Sequence, residues 1–247
     1  MPSNKSIDVS SKVFLTARWE YLAMFNFEVD ASVLTPHLPP FTEIDYFQGK
    51  VLVSVVGFLF NNTKVLGVSW PYHVNFEEVN LRYYLKHYDG KEWKRGVGFI
   101  SEIVPKKIIA WMANVLYNEH YSVARMNHTI KKTTHQLSVE YTWEKYGEEN
   151  SMILITEPDS ISIEKDSEEE FIFDHYIGFN KLSDTRSVMY TLEHAPWEVY
   201  PVKQHTLRCN FEKLYGKEFA PYLTTKPHSV FLAKGSEVSV KRPKILR

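Results

Sequence analysis

Cysteine occurs once in the 247 residues, as Cys209. One thiol forms no internal disulfide, which removes the disulfide-stapled secreted folds. It also removes every zinc site of the CxxC type, and no His/Cys pair has zinc spacing. Positive charge is not in excess: Lys plus Arg is 29 against 30 for Asp plus Glu. Nucleic-acid binding draws most of its affinity from phosphate neutralisation, so nucleic acid is not an expected partner. Glycine is scarce, at 10 residues, and there is no Walker A loop, GxGxxG, HExxH or GxSxG. Gly96-Val97-Gly98 lacks a third glycine and lies inside an expected strand. Neither a metal nor an organic cofactor is expected.

Long apolar runs are missing too. The longest, residues 51–60 (VLVSVVGFLF), is broken by Ser54 and Gly57. A membrane span needs ~20 apolar residues. Residues 1–12 are polar, without the apolar core of a signal peptide. The expectation is a cytoplasmic protein with no membrane partner. The chain is read as one domain over residues 1–247, with an ordered core over 12–235 and loose ends. Whether it forms a homo-oligomer is left open.

Aromatic residues are abundant: Trp 6, Tyr 15 and Phe 15, or 15% of the chain. Rings in excess of glycine suggest strands around a bulky interior. Residues 12–29 are rich in aromatic and β-branched types and read as one or two strands. Asp30 suits a helix N-cap for residues 31–38, which the Pro39-Pro40 pair ends. Residues 51–60, apolar on both faces, read as a central buried strand. Val79, Leu81, Tyr83 and Leu85 alternate with period 2 before Asp89-Gly90, and residues 93–104 follow; this is a strong hairpin signal.

Residues 105–120 read as the main helix. Pro105 suits its first position, and Ile108, Ile109, Met112, Val115 and Leu116 share one face. Further strands are expected over 121–126, 129–132, 136–145, 152–155 and 187–192, with a turn at Asn127-His128. The acidic run 164–170 reads as a solvated loop or helix start. A short helical pair is expected over 210–215 and 218–223. Many strands with one long helix give an α+β domain built on a large antiparallel sheet or barrel.

Several residues are candidates for a site. Glu78, Asn80 and Arg82 share one strand face. They either meet water or line a polar pocket in which Glu and Arg pair. His120, read as lying at the helix end, is either a structural cap or an acid/base group. The Pro in His194-Ala195-Pro196-Trp197 makes a rigid bend, which otherwise serves as a pocket wall with His194 as donor. Lys106 and Lys107 fall in the helix's first turn, where the helix dipole and mutual repulsion disfavour a cation. That is the direction an amine nucleophile requires. On the helical wheel, however, both flank the apolar face. Cys209 reads as a buried structural thiol.

The segments KVFLTARWEYLAMFNFEVDASVLTPHLP, FEEVNLRYYL, GVGFISEIVPKKIIAWMANVLYNEHY and HAPWEVYPV, in that order, resemble the YqjF-like family of uncharacterised bacterial proteins. That family is similar in fold to acetoacetate decarboxylase. The resemblance implies a barrel-like core with an internal pocket and flanking helices. It also implies a Schiff-base lysine at Lys106, a neighbouring lysine at Lys107 and a pocket glutamate at Glu78. The decarboxylases carry an arginine where this chain has Trp19, and Arg18 falls on the opposite strand face. The substitution argues for a more apolar ligand than a carboxylate. The leading expectation is therefore a pocket for a small, largely apolar molecule. Its candidate contacts are Trp19, Asn80, Arg82, His120, His194 and Trp197. A keto-acid decarboxylase or aldolase acting through Lys106 is the alternative, and a ligand carrier or sensor the second.

Overall fold

The computed structural model describes residues 13–118 and 120–247. Residues 1–12, expected as a loose end, and Glu119 lie outside the described residues, as do the side chains of Ala113, Leu116 and Tyr117.

The first segment forms one strand, β1 (Val13–Glu28), and not two. It stays continuous because Tyr21 takes a left-handed φ of 53° and absorbs a register shift between Glu20 and Ala23 against its neighbour. The helix expected over 31–38 is split into α1 (Ala31–Leu34) and a 3-10 turn at Thr35–His37. After the two-residue β2 (Glu43–Ile44) come β3 (Leu52–Val65), β4 (Phe76–Tyr88) and β5 (Trp93–Val104). The last two form the expected hairpin. Asp89 Oδ1 accepts the Lys91 and Glu92 amides at 2.9 and 3.0 Å, and Gly90 takes φ 92°.

The main helix, α2 (Lys107–Tyr117), is shorter than expected. Pro105 precedes it, and Lys106 is its N-cap, with extended backbone at φ −112° and ψ 112°. Left-handed Asn118 ends it, a common helix stop. Next are β6 (Tyr121–Val123), β7 (Arg125–Lys132), β8 (Leu137–Lys145) and β9 (Glu148–Thr156). Strand β7 runs straight through Asn127 and His128, where a turn was expected, because each pairs with β8. Then come β10 (Ile161–Ser162), α3 (Glu168–Phe173), β11 (Ile177–Ser183), β12 (Arg186–His194), β13 (Glu198–Tyr200) and β14 (Val202–Arg208). Ser167 caps α3 by accepting the Glu170 amide, so the acidic run is a helix start. The chain closes with α4 (Phe211–Tyr215), α5 (Ala220–Leu223), β15 (Ser229–Lys241) and β16 (Lys244–Leu246). Residues 236–247, expected as a loose tail, therefore belong to the sheet: β16 pairs with β12.

The strand order closes a ring. From β15 it runs through β1, β3, β4, β5, β11 and β12, and β12 pairs back to β15. All these pairings are antiparallel except β5–β11, a parallel seam with one paired position, Val97 to Gly178. Closure removes the open edges that a sheet this wide would otherwise present. A second sheet, ordered β14-β9-β8-β7, covers the outside of the ring.

This layering explains the apolar run at 51–60. Strands β1, β3 and β4 are buried on both faces. One set, including Phe25, Val55 and Leu81, packs with Tyr141, Met152 and Leu154 of the outer sheet. The other, including Met24, Val56 and Phe58, forms the core inside the ring. Tyr141 donates to the Tyr21 carbonyl at 2.9 Å, tying the outer sheet to the bulge.

Candidate functional site

Inside the ring lies a cavity of about 320 Å³. Its walls are largely aromatic: Trp19, Phe58, Phe60, Phe76 and Trp197 all line it. Trp19 stands edge-on to Phe58 and Phe60, at centroid distances of 5.1 and 5.5 Å. Phe60 stacks on Phe76 at 4.6 Å. Trp19 faces inward because of the Tyr21 bulge: before it Ala17 and Trp19 join the inner core, and after it Leu22 and Met24 do. Arg18 lies on the outer face, bonded to Glu20 at 2.9 Å.

The polar part of the wall comes mainly from β4. Glu78, Asn80 and Arg82 are buried, at 3%, 3% and 8% exposure, and all three line the cavity. Of the two readings of this row, the structure has the pocket but not the pairing, since no ion pair joins Glu78 to Arg82. Glu78 instead accepts from Asn80 Nδ2 at 3.0 Å and from the Tyr121 hydroxyl at 2.8 Å. Burial pushes its carboxyl up to about 7, against these two hydrogen bonds and the Arg82 charge, which pull it down.

His194 and Trp197 also line the cavity, stacked on each other at 4.1 Å across the Ala195-Pro196 bend. Burial pushes the His194 pKa down, so its ring is neutral. Its Nδ1 lies 2.8 Å from the Ala195 carbonyl oxygen, which makes Nδ1 the protonated nitrogen and leaves Nε2 as an acceptor. One side of the cavity is covered by α2, through Ile108, Ile109, Trp111 and Met112, and Trp70 joins them. Asn114 fixes that helix to β6 by bonding both the amide and the carbonyl of Tyr121.

Lys106, Lys107 and His120 are not among the cavity's lining residues. Lys106 is half-buried and Lys107 exposed. The wheel argument against an inward lysine assumed packing through Ile108 and Met112, and these two side chains do line the cavity. His120 is exposed, in a loop beyond the helix end, and the C-cap position is held by Asn118. The His120 carbonyl accepts the Glu102 amide at 3.3 Å. Burial pushes the Cys209 thiol up, which suits a structural thiol and not a nucleophile.

Among the buried carboxyl and imidazole groups of the wall, sequence reasoning missed Glu102 and His175. Glu102 sits opposite Asn80 only because the hairpin register shifts by one residue between Leu81 and Arg82. Counting from the Asp89-Gly90 turn puts Ser101 there, so the turn carried no signal for Glu102. His175 had none either: its Nδ1 makes a local contact, 2.6 Å from the Phe171 carbonyl oxygen, and the contact that sets its place in the wall is chain-distant, Nε2 at 3.3 Å from Asp45. Among the described residues, no three His, Cys, Asp or Glu side chains stand together as a metal site would need. No helix among them is long and apolar enough to cross a membrane.

This ring around a cavity is the acetoacetate decarboxylase-like fold. The enduracididine biosynthesis enzyme MppR, solved with pyruvate, matches with a TM-score of 0.67 at 12% identity, over 100% of this chain and 95% of its own. Acetoacetate decarboxylase from Legionella pneumophila matches at 0.65 and 11%, over 100% and 92%. An acetoacetate decarboxylase-like enzyme from Sphingomonas wittichii matches at 0.63 and 12%, over 96% and 94%. At such identities these likenesses establish the fold. The chain itself belongs to DUF2071, a family of uncharacterised conserved proteins, whose profile matches residues 16–237. Comparison with curated protein sequences returns no match.

Proposed function

We propose that this protein binds a small, largely apolar molecule inside its barrel. The observation that carries the reading is the cavity itself: about 320 Å³, walled by aromatic rings, with a few buried polar side chains on one strand. An apolar pocket with a few placed polar groups describes a small-molecule site. Glu78 with its raised carboxyl, and His194, are two of the groups able to exchange or accept a proton there, beside Glu102 and His175. Chemistry on the bound molecule would run through them. A Schiff base at Lys106 gains less support, since that amine is outside the lining.

The test is native mass spectrometry of freshly purified protein, followed by titration with 1-octanol while tryptophan emission is read. Trp19 and Trp197 line the cavity, so occupancy shifts the emission and a Trp19→Ala variant loses part of that shift. A protein that carries no co-purifying molecule, and whose emission ignores the alcohol, would overturn the reading.

A further inference from the structure

The cavity wall holds one cation that has no ion-pair partner among the described residues. Arg82 is the only arginine or lysine among the described residues that line it. Among the described residues no carboxylate forms an ion pair with its guanidinium, although Glu78 is near enough to feel its charge. Its Nη2 finds only Met24 Sδ, at 3.7 Å, a weak acceptor. A guanidinium removed from water without a counter-charge is costly, and the cost falls when an anion arrives.

The other side of Arg82 is tied down. Its Nε donates to the Tyr84 hydroxyl at 3.4 Å. Ser54 donates to Asn26 Oδ1 at 2.5 Å, which uses the only proton on that hydroxyl. Tyr84 must therefore donate to Ser54, at 2.6 Å. Asn26 Nδ2 donates to Ser229 Oγ at 2.9 Å, and Ser229 donates to the Glu168 carboxylate. Every link points the same way, from the buried cation to a carboxylate on α3. The residues are cross-strand neighbours, Ser229 opposite Asn26, Asn26 opposite Ser54, Ser54 opposite Arg82. Aligned bonds polarise one another, so the row holds the guanidinium in place and partly offsets its charge. It leaves the Nη edge for a ligand.

The geometry points to Arg82 as the binding site for the carboxylate of a monoanionic ligand whose body is apolar. A guanidinium edge matches a carboxylate in a bidentate fork. One cation suits one negative charge, and the aromatic wall takes the remainder of the molecule. Trp19, in the decarboxylase arginine's place, thus does not exclude an acid: the cation enters from β4 instead. Tyr84 is a positioning residue, acting through Arg82.

This inference rests on the cavity being a ligand site, so its test uses two probes of equal chain length, octanoate and 1-octanol. Their affinities are measured by calorimetry at a pH where the acid is ionised. Octanoate is expected to bind about tenfold tighter or more, the worth of a charged hydrogen bond. Arg82→Met is expected to erase that preference. Tyr84→Phe keeps the cation but removes its anchor, and is expected to weaken octanoate severalfold without affecting the alcohol. Equal affinity of the two probes for the wild-type protein overturns the carboxylate site and leaves the cavity reading standing. Binding of neither overturns both. The wild-type comparison decides the matter even if Arg82→Met fails to fold, and an unchanged octanoate affinity in Tyr84→Phe overturns the positioning role.

Discussion

Glu78 holds its proton where an exposed glutamate would have lost it. From its ordinary value of 4.5 up to about 7, the folded chain stays protonated at this residue while the unfolded chain ionises. Stability from Glu78 therefore falls as pH rises through that window, by on the order of 3 kcal/mol in total. In Glu78→Gln the fall disappears, since the amide stays neutral and can still accept a hydrogen bond. Urea unfolding at about pH 5 and about pH 8 checks this: the wild type loses more stability between the two than the variant. At Lys106 the expected outcome is negative. A Schiff base needs the amine within reach of the bound carbonyl. Pyruvate with borohydride is expected to leave the intact mass unchanged. That Glu78, Asn80 and Arg82 share a face was legible from their spacing of two. Which way the face turned was not, because the layering of distant strands decides it.

At the scale of the element, β1 is the most informative. Its sequence announces a strand, but nothing announces that a tyrosine will take φ 53° and reverse the alternation after it. The bulge is accommodated from β15. Gly235, opposite Glu20, takes φ 81°, and a Cβ there would come within 2.0 Å of the Trp19 carbonyl oxygen. Gly235→Ala is therefore expected to destabilise the fold by roughly 2–4 kcal/mol, combining backbone strain with a contact against unyielding main chain. Chemical denaturation measures it, and a cost near zero would mean that the bulge relaxes. The helix α2 was legible in its existence and less so in its ends. Lys106 continues the extended path of β5, and left-handed Asn118 stops the helix early. Both depend on docking against β5 and β6.

For the whole molecule, the α+β class with a large antiparallel sheet could be read from strand count and the single long helix. Ring closure could not, because it needs β15 to pair both with β12 and with β1 from the other end of the chain. The basic residues of 236–247 look like a tail, yet this stretch completes β15 and supplies β16. Val238, Ser239 and Val240 pair with His194, Glu193 and Leu192, which shuts the barrel. Val240 also lines the cavity. Deletion of residues 236–247 is expected to cost the cooperative thermal transition and the near-ultraviolet dichroism of the packed rings. A truncated chain that melts as sharply as the full one would show the closure to be dispensable.

The pairing of β1 with β15 also sets an order of events. Val13 lies opposite Lys241, and Asn26 opposite Ser229. A chain emerging from the ribosome offers β1 about two hundred residues before its partner β15. Until β15 has been made, β1 has one side without its final neighbour, and the interior is unsealed. Contacts so distant along the chain are slow to form, because loop closure must precede their reward. The barrel is thus completed only once β15 has been made, and a molecule fitting its interior can be enclosed as that strand settles.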